Sequence, residues 1–166
     1  MSFIGVIALR KCKIDVEKIL YDNLKDTKHT IIMINRENVD NIKNVKFETV
    51  LLIGEITKGV DKYKRIIANA KYLIINLDIE ENLSLLEDLD LSVITYGFNL
   101  KSTITASSTE DTIISLQRSI KDVNSIVFDP QEIKVDINKM TKETYTIMGI
   151  VGVLLIYVGN KISINL

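Results

Sequence analysis

Three basic residues follow the first apolar run and stand where an α/β protein binds an anion. Arg10, Lys11 and Lys13 lie between the apolar run 3–9 and an amphipathic segment that begins at Ile14. Open α/β sheets bind ligands at the carboxyl ends of their strands, and helix N-termini favour negative charge. The cluster is therefore a candidate anion-binding site. Because the turn has no glycine, its backbone cannot approach a phosphate closely. The simpler interpretation of the three basic residues is therefore that they are solvated loop charges.

Asn76 and Asp78 follow a later apolar run and form a second candidate group. The carboxyl ends of parallel strands meet at one edge of a sheet, so we expect this pair to face the basic turn across a ligand site. With Glu80 and Glu81 close by in sequence, Asp78 could in principle bind Mg²⁺ or act as a base. Glu80 and Glu81 are better explained as acidic residues in the first turn of a helix, where the helix dipole favours negative charge. Asp78 is better explained as a capping or turn residue near the start of that helix.

The remaining reactive side chains suggest no catalytic arrangement. His29 is the only histidine, and no carboxylates stand near it at ligand spacing, so a surface position is the prediction. Cys12 shares the basic turn, where neighbouring cations could lower the thiol pKa. With no base close to it in sequence, an inert thiol is the simpler interpretation. We therefore predict no catalytic residue, no metal site and no cofactor.

Composition limits the possible partners. The 166 residues carry a formal net charge of -1, and 26% of them are charged, so no strong field attracts nucleic acid or an anionic membrane. The single cysteine and the absence of a basic, apolar leader favour the cytoplasm. The abundance of isoleucine, lysine and asparagine suggests a bacterial genome rich in AT. An unknown protein partner and a homo-oligomer both stay open.

The elements that must position these residues follow from the apolar pattern. Short, continuously apolar runs separated by helical or polar segments predict a mainly parallel sheet covered on both faces. Alternating segments after Phe98 predict short antiparallel strands with one solvated face. The fold class is therefore α/β, a three-layer domain with a small antiparallel extension. The predicted strands are 3–9, 30–34, 48–53, 72–76, 92–97, 102–107, 113–117 and 132–137, and the predicted helices are 14–24, 60–70, 80–89 and 141–158.

One domain, 1–166, is the simplest organisation, with a parallel part at 1–100, an antiparallel part at 101–138 and a closing helix at 141–158. The segment 144–160, which overlaps that helix, carries no charge. It is short for a membrane span, which needs about 20 apolar residues. A helix that is apolar on nearly all sides can instead be buried in a core or between subunits. We predict burial in the domain, with a subunit interface and a membrane anchor as alternatives.

Several short motifs occur in a suggestive order. Asn76-Leu77-Asp78 follows the fourth strand, Thr95-Tyr96-Gly97-Phe98 closes the fifth, and Asp129-Pro130 leads into the last strand before an apolar helix that ends in Val158-Gly159. This order resembles the central ATPase domain of the Mur ligases, the ATP-dependent amide ligases of peptidoglycan assembly. The resemblance spans nearly the whole chain and implies a Rossmann-like, P-loop-like fold. We expect the two substrate domains that flank this domain in the family to be missing.

The residues that would carry the family's chemistry are replaced. In its phosphate loop, Gly-Thr-x-Gly-Lys-[Ser/Thr], Leu9 and Cys12 take two glycine positions and only Lys13 keeps its residue type. Ile14 replaces the hydroxyl residue that would bind Mg²⁺. The family's His-Asn pair would fall near Glu143-Thr144, and neither residue matches. Because phosphoryl transfer relies on such preorganised donors and metal, we predict a degenerate relative without ligase activity, a pseudoenzyme.

We therefore expect a non-catalytic protein that serves as a binding or protein-interaction module. One alternative is a small-ligand protein that holds a nucleotide or another anion. Its candidate anion-binding residues are Arg10, Lys11 and Lys13, and its candidate ligand edge is Asn76 and Asp78. Another alternative is an accessory subunit of an amide ligase in cell-wall metabolism.

Overall fold

The computed structural model describes residues 2–107, 113–135, 143–159 and 162. It confirms the predicted α/β class: an eight-stranded mixed sheet lies between helices, and a two-stranded antiparallel sheet stands beside it. The strands are β1 Ser2–Ala8, β2 His29–Ile34, β3 Thr49–Ile53, β4 Tyr72–Asn76, β5 Ser92–Tyr96, β6 Ile104–Ala106, β7 Ile113–Leu116, β8 Ile120–Lys121, β9 Val127–Phe128 and β10 Gln131–Lys134. The α-helices are α1 Val16–Leu24, α2 Val60–Ala68 and α3 Thr144–Val158, and Glu80–Leu86 forms a 3₁₀ helix.

The strand order is β10-β7-β6-β5-β4-β3-β1-β2, and the strands from β2 to β6 are parallel. The chain starts at β1, adds β2 on one side and then continues through β3 on the other. α1 packs with α3 on one face of the sheet, whereas α2 packs on the opposite face. The connections that leave β1 and β3 therefore run to opposite faces, which opens a crevice between the carboxyl ends of these two strands.

In the sequence, apolar residues at i, i+3 and i+4 predict the inward faces of the first two helices, and the structure confirms them. In α1 the residues Val16, Ile19, Leu20 and Leu24 are buried, and Asp15 caps the helix by accepting a hydrogen bond from the Lys18 N–H at 3.0 Å. In α2 the buried set is Tyr63, Ile66 and Ile67. Each helix thus covers a row of sheet side chains through residues at i, i+3 and i+4.

The structure confirms one part of the prediction for the sixth strand and corrects the rest. The alternation at Thr103-Ile104-Thr105 predicts an antiparallel strand with a solvated face. β6 pairs antiparallel with β7 as predicted, but on its other side it runs parallel to β5, with Tyr96 opposite Ile104. Both threonines are less than 10% exposed, and the Thr103 hydroxyl lies 3.2 Å from the hydroxyl of Thr95. Both polar positions of the pattern are therefore buried, and Thr103 is also hydrogen-bonded, so the alternation does not mark a solvated face.

Two other elements differ from expectation. The segment predicted as a helix over 80–89 is the 3₁₀ helix Glu80–Leu86, an element common in short connections. The antiparallel strands β7 and β10 pair as predicted, although residues 136 and 137 of the predicted last strand lie outside the described residues. The hairpin of β8 and β9 was not predicted, since each strand is only two residues long.

α3 is the buried element of the fold. Every residue of the helix from Thr146 to Ile156 is buried. One side packs on β3, β4, β5 and β6. Near the other end, the loop between β8 and β9 closes over the helix through a hydrogen bond from the Val123 N–H to the Ile156 carbonyl at 3.1 Å. Among the described helices, none has the length and apolar character to cross a membrane.

Gly149 and Gly152 let α3 approach the sheet closely. A Cβ at Gly152 would lie 3.0 Å from Cγ2 of Ile74.

We expect Gly152→Val to lower the free energy of unfolding by about 1–3 kcal/mol, because overpacking outweighs a gain of a few tenths of a kcal/mol in helix propensity. Urea unfolding followed by circular dichroism measures the change. Ala68→Val, which adds the same side chain at an exposed helix position, should change it by no more than about 0.5 kcal/mol. Equal effects of the two variants would contradict close packing at Gly152.

Candidate functional site

A cleft of about 590 Å³ opens at the carboxyl edge of the parallel sheet. It lies over the crevice between β1 and β3, and we call it the switch-point cleft. Arg10 lines it after β1, Asn76 and Asp78 at the end of β4, Tyr96 at the end of β5, and Tyr145 in the first turn of α3. Because this is where doubly wound sheets bind ligands, the cleft is the candidate functional site.

The predicted site residues are only partly brought together. Arg10, Asn76 and Asp78 all line the switch-point cleft. Lys11 and Lys13 are exposed, and neither lines this cleft. The two predicted groups thus meet across one cleft, with Arg10 as the only contribution from the basic turn.

Arg10 is paired with the buried carboxylate of Glu143, the residue directly before α3. Its Nη2 lies 3.2 Å from Oε2 of Glu143 and donates to the Thr146 hydroxyl at 2.7 Å. The Thr146 hydroxyl donates to the same carboxylate oxygen at 2.8 Å, and the Lys13 N–H donates to the other at 3.3 Å. The side chain of Glu143 is only 3% exposed, whereas that of Arg10 is 40% exposed. The β1–α1 loop, residues 9–15, therefore binds the carboxylate of Glu143, which is an anion of the same chain.

The donors around Glu143 hold it in its charged form. Burial raises its pKa, but the hydrogen bonds from Thr146 and from the Lys13 N–H, together with the charge of Arg10, outweigh burial and leave the pKa below its usual value. Cys12 lies in the same loop. Burial raises its pKa more than the neighbouring Arg10 lowers it, so the thiol is neutral at pH 7 and is a weak nucleophile there.

Asp78 organises the loop after β5. Its carboxylate accepts the backbone N–H groups of Phe98 at 2.6 Å and Asn99 at 3.0 Å, and the Tyr145 hydroxyl at 2.9 Å. Gly97, with φ of 148°, makes room for this carboxylate, since a Cβ there would lie 2.8 Å from the carboxyl carbon. Burial and this hydrogen bond both raise the pKa of Tyr145. Asp78 thus joins the end of β4 to the loop after β5 and to α3.

Several polar groups of the cleft have donors left over, and the clearest are Asn76 and Arg36. The Asn76 side chain accepts the Asp78 N–H at 2.9 Å through its carbonyl oxygen, and its NH₂ makes no hydrogen bond within the described part of the chain. Asn76 is 5% exposed. Arg36 also lines the cleft, and no described residue forms a hydrogen bond or ion pair with its guanidinium. These groups are the donors that a ligand would meet.

Arg36 is the site residue that the sequence reasoning missed. It lies in the polar connection that follows β2, and neither predicted group of site residues includes it. A usable signal was present, because Arg36 follows β2 just as Arg10 follows β1, and the carboxyl ends of parallel strands share an edge.

His29 lies at the amino edge of the sheet, away from the cleft, and is half-buried rather than fully exposed. Its side chain is 16% exposed, its ring packs 4.3 Å from the ring of Tyr157 between centroids, and it shares a hydrogen bond with Ser2. Burial is the main cause of its lowered pKa. Within the described ranges, no three His, Cys, Asp or Glu side chains are grouped so that they could hold a metal ion.

Comparison with known proteins does not assign the chain to a family. No protein-family model matches the sequence, and no curated protein matches it either. The functional interpretation therefore depends on the switch-point cleft and its residues.

The ion pair of Glu143 predicts a defined loss of stability in acid. The folded pKa is lowered, so the unfolded chain takes up the proton first, and the stabilisation is present above the ordinary pKa of 4.5 and lost as pH falls through the lower folded pKa. Glu143→Gln removes the charge, and we expect its unfolding free energy to vary less between about pH 3 and 5 than that of the wild type. Urea unfolding at several pH values measures this.

The matched control is Glu87→Gln at an exposed glutamate, which should keep the wild-type profile. A Glu143→Gln profile as steep as that of the wild type would contradict an ionised Glu143 in the folded protein.

Proposed function

We propose that this chain is a non-catalytic binding protein that holds a small anionic ligand in the switch-point cleft. The observation that carries the proposal is the coincidence of the cleft with the crevice between β1 and β3. Doubly wound sheets bind their ligands at this position because the flanking connections diverge there and leave room above the strand ends.

The free donors favour an oxyanion on the ligand. The guanidinium of Arg36 presents several N–H groups in a plane that matches a carboxylate or a phosphate, and the NH₂ of Asn76 needs an acceptor. The cleft volume of about 590 Å³ is within the range for small-molecule sites. The ring of Tyr145, held edge-on against Phe98 with centroids 5.2 Å apart, supplies an apolar wall. A nucleotide or a similar phosphorylated ring compound suits these features.

The state of the ionisable groups supports binding rather than catalysis. The carboxylate of Glu143 is enclosed by its own donors, and that of Asp78 accepts three hydrogen bonds. A general base needs a free oxygen within reach of a substrate proton. These two carboxylates are instead used to join elements of the fold, whereas Glu55, the third carboxylate at the cleft, has no hydrogen-bond partner among the described residues.

We also infer that the scaffold is related to the central domain of the Mur ligases. The parallel strands followed by short antiparallel ones and a closing apolar helix support this. The two motifs of the resemblance also contact each other, because Asp78 binds the backbone directly after Gly97. We therefore propose that the chain is a cytoplasmic, bacterial relative of this domain that has lost the ligase reaction.

A thermal-shift screen against nucleotides, UDP-sugars and small dicarboxylates tests the cleft. We expect at least one of these anions to raise the melting temperature beyond a chloride control of equal ionic strength. Arg36→Ala should then weaken binding by about tenfold or more, since a hydrogen bond to a charged group contributes about 1.5–3 kcal/mol. Isothermal titration measures the change in affinity.

Arg65→Ala is the matched control, because Arg65 is an exposed arginine on α2 and does not line the cleft. It should leave the affinity unchanged. A screen without any stabilising anion, or equal weakening by the two arginine variants, would overturn the proposal.

A further inference from the structure

The donors that surround Glu143 form a site that is complete for an oxyanion. Arg10 comes from the β1–α1 loop, the Lys13 N–H from the backbone of the same loop, and Thr146 from α3. Together they reach both oxygens of the carboxylate. We call these three groups the oxyanion site, and it lies beside the switch-point cleft because Arg10 lines both.

The arrangement is more than a surface ion pair. The occupying carboxylate is 3% exposed, and a buried charge is costly unless it is both paired and hydrogen-bonded. Here Oε1 receives the Lys13 N–H, while Oε2 receives the Thr146 hydroxyl and lies beside the guanidinium of Arg10. A guanidinium with a backbone N–H and a hydroxyl is also the donor set that proteins use for free carboxylates and phosphates.

We propose that these groups are an oxyanion-binding site that the wild-type chain keeps closed with its own Glu143, and that a small free oxyanion takes this place when the side chain is removed. A carboxylate that the fold holds in the right orientation competes as an intramolecular ligand, and its effective concentration far exceeds that of free anions at millimolar levels. The wild-type site is therefore insensitive to such anions.

A consequence for the cleft is that the charge of Arg10 is already neutralised. An anionic ligand there meets Arg36 as its unpaired cation among the described residues. The oxyanion site itself does not depend on whether the cleft binds a ligand. A failure of the nucleotide screen would leave it standing, and the experiment below uses different probes.

Glu143→Ala tests the site by replacing the internal carboxylate with free ones. Thermal unfolding is followed in sodium formate, acetate and phosphate, each against chloride at equal ionic strength. We expect the variant to melt below the wild type in chloride and to gain about 3 °C or more in at least one of these anions. The wild type should gain no more than it does in chloride. Formate and acetate report a planar carboxylate, and phosphate reports a tetrahedral oxyanion.

Two further variants locate the effect. Glu143→Gln fills the site with an amide and should show no anion-dependent gain. Arg10→Met combined with Glu143→Ala removes the guanidinium and should abolish the gain. If Glu143→Ala does not fold in chloride, its refolding yield in formate against chloride provides the same readout. Equal responses of Glu143→Ala and the wild type to all three anions, or no refolding in any of them, would overturn the proposal.

Discussion

The burial of α3 is the constraint on which the rest of the structure depends. A 15-residue helix without a charged side chain must be covered on every side, because its apolar surface is unfavourable in water. The sheet covers one side at close range through Gly149 and Gly152. α1 and the segment around β8 and β9 cover much of the remainder. α3 and the segment around β8 and β9 thus complete the hydrophobic core on one face of the parallel strands.

The same helix determines the chemistry at the carboxyl edge of the sheet. Its N-terminal end brings Glu143, Tyr145 and Thr146 to the ends of β1 and β4. Glu143 neutralises Arg10, and Tyr145 binds Asp78, so these four ionisable groups of the edge are paired with one another. Such internal pairing stabilises the junction between helix and sheet. Arg36 and the NH₂ of Asn76 are among the polar groups that face the cleft with unused donors.

Much of the fold could be predicted because its apolar patterns are local. Continuous runs such as the one in β3, where every residue is buried, are typical of strands covered on both faces. The errors occur where burial depends on the partner element. Thr103 and Thr105 are polar in sequence but buried, Thr103 beside Thr95 of β5, and His29 is half-buried with Tyr157 of α3 packed on it. Neither contact is visible in a pattern of neighbouring residues.

The sequence by itself determined the α/β class, the inward faces of α1 and α2, and the edge of the sheet at which Arg10, Asn76 and Asp78 would meet. These follow from periodicity and from the common direction of parallel strands. Only the tertiary structure decided that Glu143, 133 residues away from Arg10, neutralises it, and that Arg36 lines the cleft. The physical reason is that ion pairing depends on distances of a few ångströms between side chains, and the folded path of the chain sets those distances.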